Sequence, residues 1–373
     1  MTPVWSPRTW VLPTERTLPE RPVLTVIGGD GIGPEVTEAA VECLEATGVP
    51  FELRSPVHGE RAEVELGTGF PESVKEAIDA ADGILVGAVQ KKSRAILRYI
   101  RYQLESYANL RPSASLPGVP AVTGSGRTQL VIVRELTEGM YPGREGDLSE
   151  FRRRWPEFRD ALDRPLPDHD GKFALRMTTR RAVLRIAEYA ARLAVHRKEY
   201  AQTAGHVTVV HKANVLPQTD LLFLETCREV LERFPQLTVD DLYVDEAARR
   251  LVARPESFDV IVTSNLFGDI LSDVAAETMG GLPMAPSAGI GAGQAYFEPC
   301  HGSAPDIAGR GIANPAAAIG SAAMLLAYWG RFEASDRLMH ALLTAMTTQM
   351  PVDLGGEAGT RELVRAVLAE LER

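Results

Sequence analysis

The apolar run Val23-Leu-Thr-Val-Ile27 reads as a strand covered on both faces, because unbroken apolar stretches of this length mark buried strands. It stops at Gly28-Gly-Asp-Gly-Ile-Gly-Pro34, after which Val36, Ala39, Ala40, Cys43 and Leu44 recur at helical spacing. Pro34 suits the first turn of that helix and Gly48 its end. Residues 83–87, 130–133, 207–210 and 258–263 predict four more short buried strands, and 242–244 a lesser one. Helical patterns lie between them at 181–194, 220–234 and 270–279, and the Ala-rich, almost wholly apolar stretch 315–329 predicts a buried helix. Strands alternating with helices argue an α/β architecture. One stretch breaks this rhythm. Residues 142–176 are highly charged, hold Pro156, Pro165 and Pro167, and are too long for an ordinary connection, so they predict an arm, a lid or an oligomer contact.

A chain of 373 residues suggests two domains or one two-lobed unit. The 50 acidic and 40 basic side chains leave a net charge of −10, the wrong sign for a general nucleic-acid binder. No apolar run reaches the roughly 18 residues of a membrane-crossing helix. The first 20 residues lack the apolar core of a signal peptide and carry four prolines, so a strap or a frayed extension is expected. Cys43, Cys227 and Cys300 are odd in number and far apart, giving neither a disulfide framework nor a CxxC pair. A reducing, cytoplasmic compartment is the expectation.

Candidate chemistry begins at Gly29-x-Gly31-x-Gly33, which suits either a phosphate cradle or a tight βα turn. It is not the Rossmann spacing, and no Walker lysine follows. Arg98, Arg101, Arg111 and Arg134 fall near strand ends or on a short helix. Converging guanidinium groups suit a polyanionic small molecule, while Arg98 and Arg101 alone also fit a solvated helix face. Asp269 and Asp273 share a helix face at i and i+4, and Asp245 lies at a strand end upstream. Three carboxylates without a paired His or Cys favour Mg²⁺ or Mn²⁺; capping and surface charge are the alternative. Lys212 ends an apolar strand, where a lowered pKa would let it act as a base. Tyr141, seven residues after Arg134, could donate a proton, although either residue alone fits a structural place. Asp306, in the turn Gly302-Ser-Ala-Pro-Asp306, would accept from ribose hydroxyls and repel a 2′-phosphate.

Together these segments resemble the isocitrate and isopropylmalate dehydrogenases, the metal-dependent β-decarboxylating dehydrogenases. The resemblance rests on Gly29-Asp-Gly-Ile-Gly-Pro-Glu35, Tyr107-Ala-Asn-Leu-Arg-Pro112, Val133-Arg-Glu-Leu-Thr-Glu-Gly-Met-Tyr141 and His211-Lys-Ala-Asn-Val215. It continues through Asn265-Leu-Phe-Gly-Asp-Ile-Leu-Ser-Asp273, the run from Phe297 to Pro315, Asp353-Leu-Gly-Gly356 and Gly359-Thr360. The family fold it implies is two α/β lobes with a cleft between them, not a Rossmann fold. Residues 1–106 and 280–373 would form a large cofactor-binding lobe, and 107–279 a small lobe with the dimer interface and a clasp at 142–176. By resemblance, Arg101, Arg111 and Arg134 would hold the carboxylates of a malate moiety. Asp245, Asp269 and Asp273 would bind Mg²⁺ or Mn²⁺. Lys212 would assist loss of the hydroxyl proton, and Tyr141 would protonate the enol carbon. Lys212 and Asp245 would reach the site of a second subunit, which implies a homodimer. Ile32, Glu298, His301, Gly302, Ser303, Ala304, Asp306 and Asn314 would line the cofactor site, with Asp306 favouring NAD over NADP.

The resemblance also frames the substrate, a small-molecule 2-hydroxy-3-carboxy acid. Arg98 stands where homoisocitrate-type enzymes place an arginine for a third carboxylate, and Arg94 adds a further charge. An anionic C3 substituent is therefore expected: isocitrate, homoisocitrate or a phosphonate analogue. Arg134-Glu-Leu-Thr and Asp353-Leu-Gly-Gly-Glu-Ala-Gly-Thr360 lean instead toward a 3-isopropylmalate dehydrogenase. The loop between Gly87 and Arg98 is short and carries Lys91 and Lys92. A non-catalytic regulatory subunit of a hetero-oligomer is the reading of another class. The presence of Tyr141, Lys212, Asp245, Asp269 and Asp273 weighs against it.

Overall fold

The computed structural model describes residues 5–121 and 128–373. Its strands, in chain order, are β1 (Val23–Ile27), β2 (Glu52–Arg54), β3 (Gly83–Val86), β4 (Ala108–Ala114), β5 (Gln129–Glu135) and β6 (Glu145–Asp147). They continue as β7 (Lys172–Ala174), β8 (His206–His211), β9 (Thr238–Tyr243), β10 (Val260–Thr263), β11 (Pro286–Ile290) and β12 (Ala295–Pro299). All but β6 and β7 join one sheet in the order β2-β1-β3-β12-β11-β4-β5-β10-β8-β9. The first five strands in this order come from residues 23–86 and 286–299, the other five from 108–263. Both outer sections are parallel, and the centre β12-β11-β4-β5 is antiparallel. The fold is thus mixed α/β, as the alternating pattern predicts.

Strands β1, β3, β8 and β10 fall where unbroken apolar runs place them. Helix Ala316–Tyr328 is buried at every residue, against β11, β12 and helix Gly33–Glu45. Six strands lie outside the predicted set: the short β2, β6 and β7, and β4, β11 and β12 at the centre of the sheet. Strand β4 carries Pro112, which lies beyond the β11 ladder (Ala108 to Leu110), so its missing N–H costs no pairing there. Strands β11 and β12 are interrupted in pattern by Pro286, Gly289, Glu298 and Pro299. Helices Phe332–Met346 and Thr360–Leu371 are additional too. The helix expected from 270 begins at Asn265, and Asp245 sits in the first turn of helix Val244–Ala253 rather than at a strand end.

Residues 5–20 form a strap. Trp10 and Val11 are fully buried. The Leu12 N–H donates to Tyr189 Oη at 3.2 Å, and Arg197 donates to the Thr9 carbonyl at 2.8 Å, both on helix Arg180–Tyr200. On its other side, Thr14 donates to the Tyr328 carbonyl at 2.8 Å, and Arg8 stacks between Tyr200 and Phe332. The strap therefore ties helices belonging to the two sections of the sheet. The charged segment 142–176 projects as hairpin β6–β7 around helix Leu148–Arg154. Phe151 packs on Trp155, Phe158 and Phe173 there, leaving Trp155, Phe158 and Leu162 exposed.

Candidate active site

Three predicted arginines meet at the centre of the sheet. Arg111 on β4 is buried and donates to Asn109 Oδ1 at 2.7 Å. Arg134, 1% exposed at the end of β5, donates to Asn265 Oδ1 at 3.1 and 2.8 Å and forms an ion pair with Asp269. Its stem crosses Gly268, where a Cβ would come within 2.6 Å of Arg134 Cγ, so only glycine permits this approach. Arg101 donates to Glu298 at 2.7 Å and to Tyr296 Oη at 3.0 Å. Burial opposes its charge, but Tyr296 and Glu298 outweigh burial and hold it firmly protonated. Glu298, expected at the cofactor, thus has its carboxylate engaged by Arg101.

Tyr141 joins this cluster. Its hydroxyl donates to Asp269, and the Arg134 guanidinium lies 4.8 Å from its ring centre. Burial first, and the hydrogen bond to Asp269 second, raise its pKa, keeping the phenol protonated. Asp269 is pushed up by burial but pulled down further by Arg134, the Tyr141 hydroxyl, Arg111 and Arg101, and ends below the ordinary carboxylate range. Asp273, one turn on, is raised by partial burial and by the charge of Asp269. Two adjacent carboxylates, one of them held up by the other, suit a hard cation that would relieve the repulsion.

Lys212 and Asp245 form a second cluster. Lys212 follows β8, its ammonium pairs with Asp245, and it lies 5.5 Å from the Tyr243 ring centre. The hydrogen bond from Lys212 is the first cause of the depressed Asp245 pKa. No three His, Cys, Asp or Glu side chains converge as a metal cage among the described residues. One chain therefore brings Asp269 and Asp273 together and leaves Asp245 with Lys212.

The glycine turn abuts residues 301–306. A Cβ on Gly31 would meet the Ser303 carbonyl at 2.0 Å, and the Ile32 N–H donates to that carbonyl at 2.9 Å. His301 is largely shielded, its Nε2 has no partner among the described residues, and burial lowers its pKa, leaving a neutral ring for a ligand. Gly302 has open space around it, Ala304 takes a left-handed φ of 34°, and Asp306 is exposed. Asn314 is buried, caps Ala316 and donates to Asp353. An orphaned imidazole nitrogen beside a glycine turn fits a nucleotide cofactor.

Arg98 lies apart from these contacts. Helix Arg94–Arg98 runs into a π-turn over Tyr99–Gln103, a distortion common at functional sites. An open surface depression beside it is lined by Phe70, Lys91, Arg94, Arg98, Tyr99 and Tyr102, with three exposed cations and no carboxylate in its lining. Arg98 has no ion pair among the described residues, and Tyr102 lies within the electrostatic reach of Arg101, Arg134 and Arg98. Sequence reasoning missed Asn109, Asn265, Tyr296 and Tyr102; their polar contacts depend on partners over a hundred residues away for Asn265 and Tyr296.

The profile of the isocitrate/isopropylmalate dehydrogenase family matches residues 23–367. The isocitrate/homoisocitrate dehydrogenase of Thermus thermophilus is 44% identical over 356 residues, spanning 94% of this chain and 98% of the relative. The 3-isopropylmalate/3-methylmalate dehydrogenase of Methanocaldococcus jannaschii is 41% identical over 92% of this chain and 97% of its own. Among solved structures, isocitrate dehydrogenase from Methylococcus capsulatus superimposes with a TM-score of 0.81 at 35% identity, covering 94% of this chain and 99% of that one. No helix among the described residues is long and apolar enough to cross a membrane. The strap lies outside the matched region, and the site does not. The chain belongs to the isocitrate/isopropylmalate dehydrogenase family and is a decarboxylating dehydrogenase.

Proposed function

We propose that the protein oxidatively decarboxylates a 2-hydroxy-3-carboxy acid with an anionic C3 substituent: isocitrate, homoisocitrate or a phosphonate analogue. The observation that carries this reading is the open depression at Arg98, whose lining holds three cations and no carboxylate. Such a pocket favours an anion over the apolar substituent of isopropylmalate.

Arg101, Arg111 and Arg134 hold the carboxylates of the malate moiety. Asp245, Asp269 and Asp273 would hold Mg²⁺ or Mn²⁺, which would supply Lewis-acid stabilisation of negative charge on the substrate, and the residues around His301 and Asp306 would hold NAD, the hydride acceptor. Lys212 takes the hydroxyl proton, and Tyr141 returns a proton to C3. Tyr141 suits that task, since burial and Asp269 keep it protonated. Asp306 reads the ribose hydroxyls and disfavours NADP. The site is shared by two copies of the chain. Supporting this is the separation of the Asp245–Lys212 pair, with Asp245 exposed, from Asp269 and Asp273. The clasp is the segment 142–176, and the two lobes are 1–106 with 280–373, and 107–279. The strand order, which groups β4, β5, β8, β9 and β10, supports that division.

The test follows nicotinamide absorbance with Mg²⁺ or Mn²⁺ over isocitrate, homoisocitrate, 3-isopropylmalate, malate, tartrate and phosphonomethylmalate. Turnover of a tricarboxylate or phosphonate supports the reading. Activity with isopropylmalate alone moves the protein to the isopropylmalate type. A chain that turns over none of them yet stimulates a partner dehydrogenase is a regulatory subunit.

A further inference from the structure

The loop that carries Lys212 is fixed by two buried acceptors that have no other task in the reaction. The Lys212 N–H donates to Asp220 Oδ2 at 2.7 Å, and the Ala213 N–H donates to His211 Nδ1 at 3.1 Å. Asp220 is 1% exposed and His211 3%. The Lys212 carbonyl accepts from the Val215 and Leu216 N–H groups, each at 2.9 Å, so its peptide groups are held on both sides.

Each acceptor is itself locked. A carboxylate as buried as Asp220 needs a counter-charge. Arg176 supplies it, donating to Asp220 Oδ1 at 2.5 Å and to Thr219 Oγ1 at 2.9 Å. The same guanidinium reaches Ser264 Oγ at 3.2 Å and lies 5.3 Å from the Phe267 ring centre. Ser264 precedes the helix that carries Asp269 and Asp273. Because His211 Nδ1 accepts, its proton sits on Nε2, which donates to Asp241 at 3.0 Å. Arg228 holds the other oxygen of Asp241.

We propose that Asp220 and His211 are positioning residues for Lys212, and that Arg176 joins its loop to the helix of Asp269 and Asp273 and to the end of the arm. The inference rests on the reading of Lys212 as the base. Lys212 has a long, flexible stem, so the placement of its ammonium begins with a backbone that cannot drift. A displacement of about 1 Å at a reacting group costs on the order of a hundredfold in rate.

The test compares His211→Leu with His211→Asn in the full-length protein. Asparagine places an acceptor where Nδ1 stood; leucine does not. The expected result is a kcat lower by about 10- to 100-fold in His211→Leu. The KM for substrate and for NAD should stay put, and His211→Asn should recover most of the loss. On a Lys212→Ala background His211→Leu should add nothing, as coupled residues require. Unchanged kcat in His211→Leu, a rise in KM alone, or a full additive loss on the Lys212→Ala background overturns the inference. Should His211→Leu fail to fold, Asp220→Asn is read by the same kcat, KM and double-mutant criteria. Lys212→Ala alone separates the two ideas: if it retains turnover, the base assignment is wrong; if it is inactive while the His211 and Asp220 variants are normal, only the positioning inference is wrong.

Discussion

Replacing Arg98 with leucine removes a cation whose guanidinium makes no ion pair among the described residues, so no buried partner is orphaned. Folding stability should change by less than about 0.5 kcal/mol, as for other surface positions without special contacts. The loss should appear in substrate choice. A charge-assisted hydrogen bond to a bound carboxylate contributes roughly 1.5–3 kcal/mol, which corresponds to about 10- to 150-fold in kcat/KM. Lys91 and Arg94 line the same depression and retain part of the field, so the lower end of that range applies. Malate has no C3 substituent and should be turned over as before. The assay is the ratio of kcat/KM for isocitrate or homoisocitrate to that for malate, in wild type and Arg98→Leu. An unchanged ratio means that Arg98 faces solvent. An equal fall for both substrates means that it acts on the common malate moiety. Either outcome would refute the anionic-pocket argument.

Other outcomes follow from the same geometry. Asp306→Ala should raise NADP use relative to NAD by roughly tenfold or more, because like charges at a binding surface are costly; an unchanged ratio of initial rates refutes the cofactor argument. Burial pushes the Cys43 thiol up to about 12 and raises those of Cys227 and Cys300 as well. A thiol reagent at about pH 8 should therefore react slowly with the native protein and with all 3 cysteines once it unfolds. Burial lowers the pKa of His196, which touches the strap at the Arg8 carbonyl, below its ordinary 6.5. The unfolded chain then binds the proton first, so stability falls as pH drops below 6.5 toward the folded pKa. The thermal midpoint of His196→Gln should fall less steeply over that window than that of wild type; parallel slopes contradict this.

Legibility in the sequence followed unbroken apolar composition. β1, β3, β8 and β10 are parallel strands covered on both faces, so they read as unbroken apolar runs. Three strands at the site, although buried throughout, were illegible for a functional reason. β4 places Asn109 and Arg111 in its interior, β12 carries Glu298, and β11 needs Gly289 because a Cβ there would meet the Tyr296 ring at 1.9 Å. Residues chosen for chemistry and close approach erase the period that marks a strand. The charged site residues were legible through their motifs. The neutral groups that aim them were not: Asn265 gains its place by meeting Arg134, 131 residues away, and the Glu138 carbonyl. Asp220 and Arg176 were invisible for the same reason, since nothing local distinguishes a buried carboxylate with a counter-charge from a solvated one.

The division of the charged residues into two clusters also bears on assembly. Arg111 and Arg134 stand on β4 and β5, while Lys212 leaves the end of β8, beyond β10. Neighbouring strands lie about 4.8 Å apart, so β4 and β8 are separated by roughly 14 Å. Within a chain, Lys212 spends its charge on Asp245, and Arg134 spends its own on Asp269. If each site draws one cluster from each of two copies, Lys212→Ala and Asp269→Asn destroy different halves of it. A mixed dimer then holds one site with both halves intact and one with both halves broken. Co-expression of the two inactive variants, with random pairing, makes half of the dimers mixed and should restore about one quarter of wild-type activity. Purification through two different tags should raise that to about one half, since each mixed dimer keeps one of two sites. If both clusters served a site within one chain, neither preparation would recover any activity, and the shared-site reading would fall with it.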